Sequence, residues 1–197
     1  GEYSALVAAG ALDFKDAVVL VRKRGTYMQE AVPVGQGAMA AIIGGDYDKI
    51  AAICAEAAQN EVCVPANLNS PSQLVIAGHQ AAVERALNLV KERKAGRGRM
   101  LPVSAPFHSP LMRPAEEALK IDAAIVTTAE AARDGLARQV CSAVRWSESV
   151  KVMCAQGVSR FVEVGPKNVL TGLIKQIAEG VELLNVEDTP SAKRVLE

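Results

Sequence analysis

Small apolar residues crowd the start of the chain, and their spacing changes twice before residue 105. Residues 2–10, from Glu2-Tyr3-Ser4-Ala5 to Gly10, are alanine-rich and predict a tightly packed helix that stops at the glycine. Asp13 opens a second helix, which should run to about Ala31. Asp13 with Asp16 resembles a capping box with aspartate in place of glutamate, and Leu12 with Ala17 forms the matching hydrophobic staple. Ala17, Leu20, Val21, Met28 and Ala31 fall on one helical stripe, which predicts their burial. Arg24 lies inside that stripe, while Arg22 and Lys23 lie off it. A guanidinium on an apolar face is costly without an anion, so a structural or ligand carboxylate should meet it.

From Gly35 the period shortens. Gly37 to Gly44 reads as a strand, Tyr47 to Asn60 as a helix with Ile50, Ile53 and Ala57 inward, and Val62 to Asn67 as a strand. Asn69-Ser70-Pro71-Ser72 is turn-forming by residue type. Gln73 to Ala77 returns to strand, Gln80 to Lys94 to helix, and Arg99 to Ser104 to strand. The order βαββαβ predicts a ferredoxin-like unit over residues 35–104, inserted into a larger α/β subdomain built from 1–34 and 105–197. In that larger part, helices are expected after Pro114, over Thr128–Cys141, Ser147–Gln156 and Val169–Glu179, with a strand over Ser159–Val164 closed by Gly165-Pro166. One strand is too few for a sheet of its own, which points to a host only partly contained in these residues.

Composition narrows the class. Half of the 197 residues are apolar, ample for a core without staples. Twenty-two basic residues balance 22 acidic ones, which removes the global electrostatic case for nucleic acid or an anionic membrane as partner. Cys54, Cys63, Cys141 and Cys154 form no CxxC pair, so no metal site or disulfide framework is expected and a reducing cytoplasm fits. No apolar run approaches the roughly 20 residues that span a bilayer, and no signal peptide is seen at the start. A soluble monomer is the expectation.

The candidate chemistry lies at Ser104-Ala105-Pro106-Phe107-His108-Ser109-Pro110. Flanking prolines keep His108, one of two histidines, out of a helix and display it on a stiff loop, as suits a general base. A histidine packed under the next helix and bonded to a carbonyl is the bland alternative. His79 follows a strand end and reads as a surface turn residue.

Gly1-Glu2-Tyr3-Ser4-Ala5-Leu6, Arg24-Gly25 with Met28-Gln29, Gly37-Ala38-Met39, Asn69-Ser70-Pro71, Val75-Ile76-Ala77-Gly78, Phe107-His108-Ser109-Pro110-Leu111-Met112 and Glu163-Val164-Gly165-Pro166 occur in order along almost the whole chain. Together they resemble the bacterial malonyl-CoA:acyl carrier protein transacylases. The resemblance implies an α/β-hydrolase-like large subdomain and a serine acyl-enzyme that passes malonyl from malonyl-CoA to the phosphopantetheine thiol of acyl carrier protein, in fatty acid synthesis, with no cofactor or metal. Gly1-Glu2 matches the end of the family's GHSxGE elbow. The nucleophilic serine is therefore expected two positions before Gly1, and the GQGSQ loop further upstream. About twenty further residues, a core strand among them, are expected between Lys120 and Ile121.

By the same resemblance His108 is the base and Gln139 orients it. Arg24 binds the malonate carboxylate, and Met28 and Asn69 line the cleft. Lys175 docks the acidic carrier protein, and the basic stretch holding Arg93, Lys94, Arg97 and Arg99 flanks the mouth. Core packing for Met28, turn capping for Asn69, a solvated helix position for Gln139 and simple solvation of the basic residues stay open.

Three other readings compete. A noncatalytic carrier-protein or acyl-CoA binder is opposed by the start inside an elbow motif, and a polyketide synthase acyltransferase domain would share the motifs. An N-terminal-nucleophile hydrolase is excluded because Gly1 has no side chain to attack with, and Ser4 lies too far into the first helix to be the elbow serine.

Overall fold

The computed structural model describes residues 1–122 and 130–196, and the fold is α/β. Helix α1 (Glu2–Ala8) leads to α2 (Phe14–Glu30), whose N-cap Asp13 accepts from Lys15 N–H. Ala17, Leu20 and Met28 are buried as the stripe predicts. Val21 departs from it, half exposed in an open groove that also exposes Phe14 and Val18 between α1 and α2. The stripe is narrower than the apolar sequence because α2 fully buries Ala17, Leu20 and Met28, while Tyr27 and Ala31 are only partly covered.

The central unit is β1 (Gly37–Ile43), α3 (Tyr47–Ala58), β2 (Cys63–Ser70), β3 (Gln73–His79), α4 (Gln80–Glu92) and β4 (Arg97–Met100). The strands form one antiparallel sheet in the order β2-β3-β1-β4, the order of a split βαβ pair. Alternation along β1 sends Ala38, Ala40 and Ile42 into a core with Ile50, Ile53, Leu74, Ile76 and Val83, beneath α3 and α4. Met39 points the other way, joining Ala66, Val75 and Ala77 against Leu101 and Phe107. Burial on both faces explains why β1 reads as an unbroken apolar run.

Two boundaries differ from the sequence pattern. Strand β2 continues to Ser70, which pairs with Gln73, so the turn is only Pro71-Ser72 and Asn69 is a strand residue. Strand β4 ends at Met100 rather than Ser104, because Pro102 has no N–H for the ladder. His79 is also no surface turn residue: its Nδ1 accepts from Val62 N–H at 2.9 Å, locking the start of α4 to β2.

After a 3-10 turn at Pro110–Met112, α5 (Arg113–Asp122) runs through the Lys120–Ile121 junction; Ala123, Ala124 and Thr128 lie outside the described residues. Helix α6 (Glu130–Arg138), α7 (Trp146–Ala155), β5 (Arg160–Val164), α8 (Val169–Ile177), β6 (Glu182–Val186) and α9 (Thr189–Leu196) complete the order. β5 and β6 pair in parallel with α8 as their crossover. The chain after α6 returns to the first sheet: Leu68 donates to Val144 O and Val144 to Ala66 O, both at 2.8 Å, so this segment adds to the free edge of β2.

Candidate functional site

The loop carrying His108 is held from below. Ala105, Pro106 and Ser109 are buried, and Pro106 packs so close to Gly37 that a Cβ there would lie 2.3 Å from the proline ring. Phe107 reaches both the sheet and the cluster of Met28, Met112, Ala137 and Val140. His108 itself takes φ 59°, a left-handed conformation unfavourable for a residue with a Cβ, so its surroundings must hold it there.

Two successive carbonyls do so. His108 N–H donates to Val140 O at 3.1 Å, and imidazole Nδ1 lies 2.9 Å from Gln139 O. A carbonyl oxygen can only accept, so Nδ1 carries the proton and Nε2 keeps a free lone pair. Burial pushes the His108 pKa below its ordinary value, and the nearby Arg24 charge acts in the same direction. The backbone groups of Gln139 and Ser142 oppose them by favouring the protonated ring. A neutral imidazole with a bare Nε2 is the state a general base needs.

Gln139 meets the histidine through its backbone. Its side-chain amide instead donates to Glu2 Oε2 at 2.8 Å, across to the first turn of α1. Arg24 is half buried on α2, and its Nε is shielded from solvent with no hydrogen-bond partner among the described residues. Its charge is felt at His108 and at Tyr3, whose hydroxyl pKa is raised by burial and pulled back by Arg24. The structure thus brings Arg24, His108, Gln139, Glu2 and Tyr3 together. The elbow match places Glu2 near the expected serine, but nothing local to Glu2-Tyr3 signals the approach of Tyr3 to Arg24 or of Glu2 to Gln139, 137 positions away.

The other candidates differ in exposure. Met28 is buried in the core beneath Phe107 rather than on an open wall. Asn69 is half buried near the end of β2, beside Ser70, which donates to Gln176 Oε1 at 2.9 Å. Arg97 and Arg99 are exposed on β4, and Lys175 is exposed on α8. Since α8 adjoins β2, these cations sit toward opposite edges of the sheet, whose edge strands β2 and β4 are roughly 14 Å apart by strand spacing. No helix among the described residues is long and apolar enough to cross a membrane.

An imidazole held in one tautomer, beside a guanidinium whose Nε has no hydrogen-bond partner among the described residues, is equipped to take up a proton next to an anion. Residues 1–134 match the acyl transferase domain family. The chain is 50% identical to the malonyl CoA-acyl carrier protein transacylase of Escherichia coli K12 over 91% of its own length and 64% of that protein's. It superposes on the Coxiella burnetii transacylase with a TM-score of 0.93 at 46% identity, covering 99% of this chain and 67% of that one. A malonyl-transacylase solved in complex with its type II PKS acyl-carrier protein matches at 44% identity and a TM-score of 0.94, over all of this chain and 69% of that one. The chain belongs to the malonyl CoA-acyl carrier protein transacylase family. It spans slightly under two thirds of the E. coli relative.

Proposed function

We propose that the protein containing this chain moves malonyl from malonyl-CoA to the phosphopantetheine thiol of an acyl carrier protein, with residues 35–104 as an inserted subdomain. The observation that carries this reading is Arg24, whose shielded Nε has no acceptor among the described residues while its charge reaches the imidazole. The free carboxylate of malonate supplies the anion, and a guanidinium grips it in a two-point fork. The acyl carbon is then held on the side of His108.

The serine expected two positions before Gly1 attacks the thioester carbonyl while His108 Nε2 takes its proton. The collapsing intermediate expels the coenzyme A thiolate, which receives that proton. In the second half, His108 takes the proton of the carrier's thiol, the sulfur attacks the seryl ester, and the proton returns to serine. The kinetics are ping-pong, and the cycle calls for no metal or redox cofactor. Arg97, Arg99 and Lys175 supply cations for an acidic carrier protein. Carrier-dependent rate should fall steeply with added salt if they do. The four cysteines, with no CxxC pair among them, fit a reducing cytoplasm as its setting, where it acts as a monomer.

The test is Arg24→Ala in a chain extended upstream to include the serine. Malonyl transfer should fall by about 100-fold or more, the factor that loss of a buried ion-pair partner implies, while acetyl transfer holds or rises. Equal loss for both acyl groups overturns the assignment.

A further inference from the structure

We propose that Glu2 is a positioning residue for the imidazole of His108, acting through Gln139. This rests on the reading of His108 as the base, but the connection is visible in the hydrogen bonds themselves. Glu2 Oε2 accepts from Gln139 Nε2 at 2.8 Å, and Gln139 O accepts from His108 Nδ1 at 2.9 Å. Three segments far apart in sequence, the first turn of α1, the end of α6 and the His108 loop, are thereby joined through one residue.

Buried Ala137 and Val140 hold the end of α6 in the core, but its last backbone bonds leave the Gln139 carbonyl room to move. Gln139 N–H still reaches Gly135 O at 3.0 Å, but the next two bonds are long three-residue steps: Val140 to Ala137 at 3.3 Å and Cys141 to Arg138 at 3.2 Å. Carbonyls in such a loosened last turn are free to tilt. The same turn must present Gln139 O to Nδ1 and Val140 O to the His108 N–H, against the unfavourable φ of His108. Tying the Gln139 side chain to α1 removes that freedom, and it sets the base against the helix that the elbow serine would precede.

A carboxylate in the first turn of a helix also has an ordinary use, as partner of the helix dipole. The two roles separate by substitution. Glu2→Gln gives up the charge but keeps an oxygen to accept from Gln139, whereas Glu2→Ala gives up both.

The tautomers of both histidines in the 197-residue chain can be read from 15N–1H correlation spectra of the rings, above the ordinary imidazole pKa. His79 is a built-in control, since its Nδ1 accepts from Val62 N–H and its proton therefore sits on Nε2. In the parent chain His108 should show Nδ1–H and His79 Nε2–H. Glu2→Ala should lower the Nδ1–H to Nε2–H ratio of His108 by roughly tenfold, as loss of a hydrogen bond's ordering implies, and leave His79 alone. Glu2→Gln should keep the parent pattern. An unchanged His108 ratio in Glu2→Ala, or an equal change in Glu2→Gln, overturns the proposal. If Glu2→Ala disturbs His79 as well, Gln139→Ala, which keeps the carbonyl and removes only the tie, must shift His108 alone for the proposal to stand. No acyl transfer enters this readout, so the result is independent of whether the proposed reaction holds.

Discussion

Ser109 donates its hydroxyl to the carbonyl oxygen of Pro106 at 2.6 Å, a bond that arches over the two residues between them, Phe107 and His108. Ser109 is fully buried, so the bond is exchanged with no water and acts as an internal brace for the loop.

Ser109→Ala should therefore cost about 1–3 kcal/mol, the penalty for leaving a buried acceptor unpaired. Urea unfolding of the chain measures it. A loss below about 0.5 kcal/mol would show that the Pro106 carbonyl finds another donor.

Gly37→Ala should be damaging for a steric reason. The new methyl would meet the Pro106 ring at 2.3 Å and the Ser104 carbonyl oxygen at 3.1 Å, and neither is the free end of a flexible side chain. A destabilisation of about 1–3 kcal/mol is expected, with displaced His108 ring resonances in the NMR spectrum. Unmoved resonances would show that the sheet, and not the loop, gives way.

His108 makes stability depend on pH in a stated direction. Its folded pKa lies below the ordinary value, so between the two the unfolded chain binds a proton that the folded chain does not. Stability should decline as pH falls from about 6.5 through the lower folded value, and level off beneath it as far as this group is concerned. His108→Gln should flatten that slope in denaturant titrations across the window. An identical slope in the variant would place the proton uptake on another group.

Lys167 takes φ 71° between Pro166 and Asn168, with its N–H donating to Glu187 Oε2 and its carbonyl accepting from Asn185 Nδ2. Both bonds belong to the backbone and survive Lys167→Gly. The substitution should raise stability by roughly 0.5–1 kcal/mol, because relief of the left-handed strain exceeds the added freedom of the unfolded chain. A thermal melt that moves downward would contradict this.

The βαββαβ unit was legible because each of its elements carries a local signal: short apolar runs in β1 and β3, period 3.6 in α3 and α4, and Pro71-Ser72 at the hairpin. Arg24 was legible as an oddity, a cation on an apolar stripe. Strand β6 was not foreseen, since Glu182-Leu183-Leu184-Asn185-Val186 lacks clean alternation and becomes a strand only by parallel pairing with distant β5. Helix α9 was passed over although a signal existed: Asp188 and Ser191 cap each other reciprocally, Ser191 N–H to Asp188 Oδ1 at 2.8 Å and Asp188 N–H to Ser191 Oγ at 2.9 Å. The site's cross-links, Glu2 to Gln139 and β2 to Val144, are beyond any local pattern because they join segments more than 70 residues apart.

Residues 139–144 are grasped at one end by the His108 ring and main chain and at the other by the open edge of β2. A graft that replaces the four-stranded sheet with a relative's, but leaves this short stretch behind, would mate a foreign strand edge to a native clasp and tug the imidazole out of line. Modularity here ends at Val144: the piece that can be exchanged as a working whole is discontinuous, the sheet together with the six residues that lean on it.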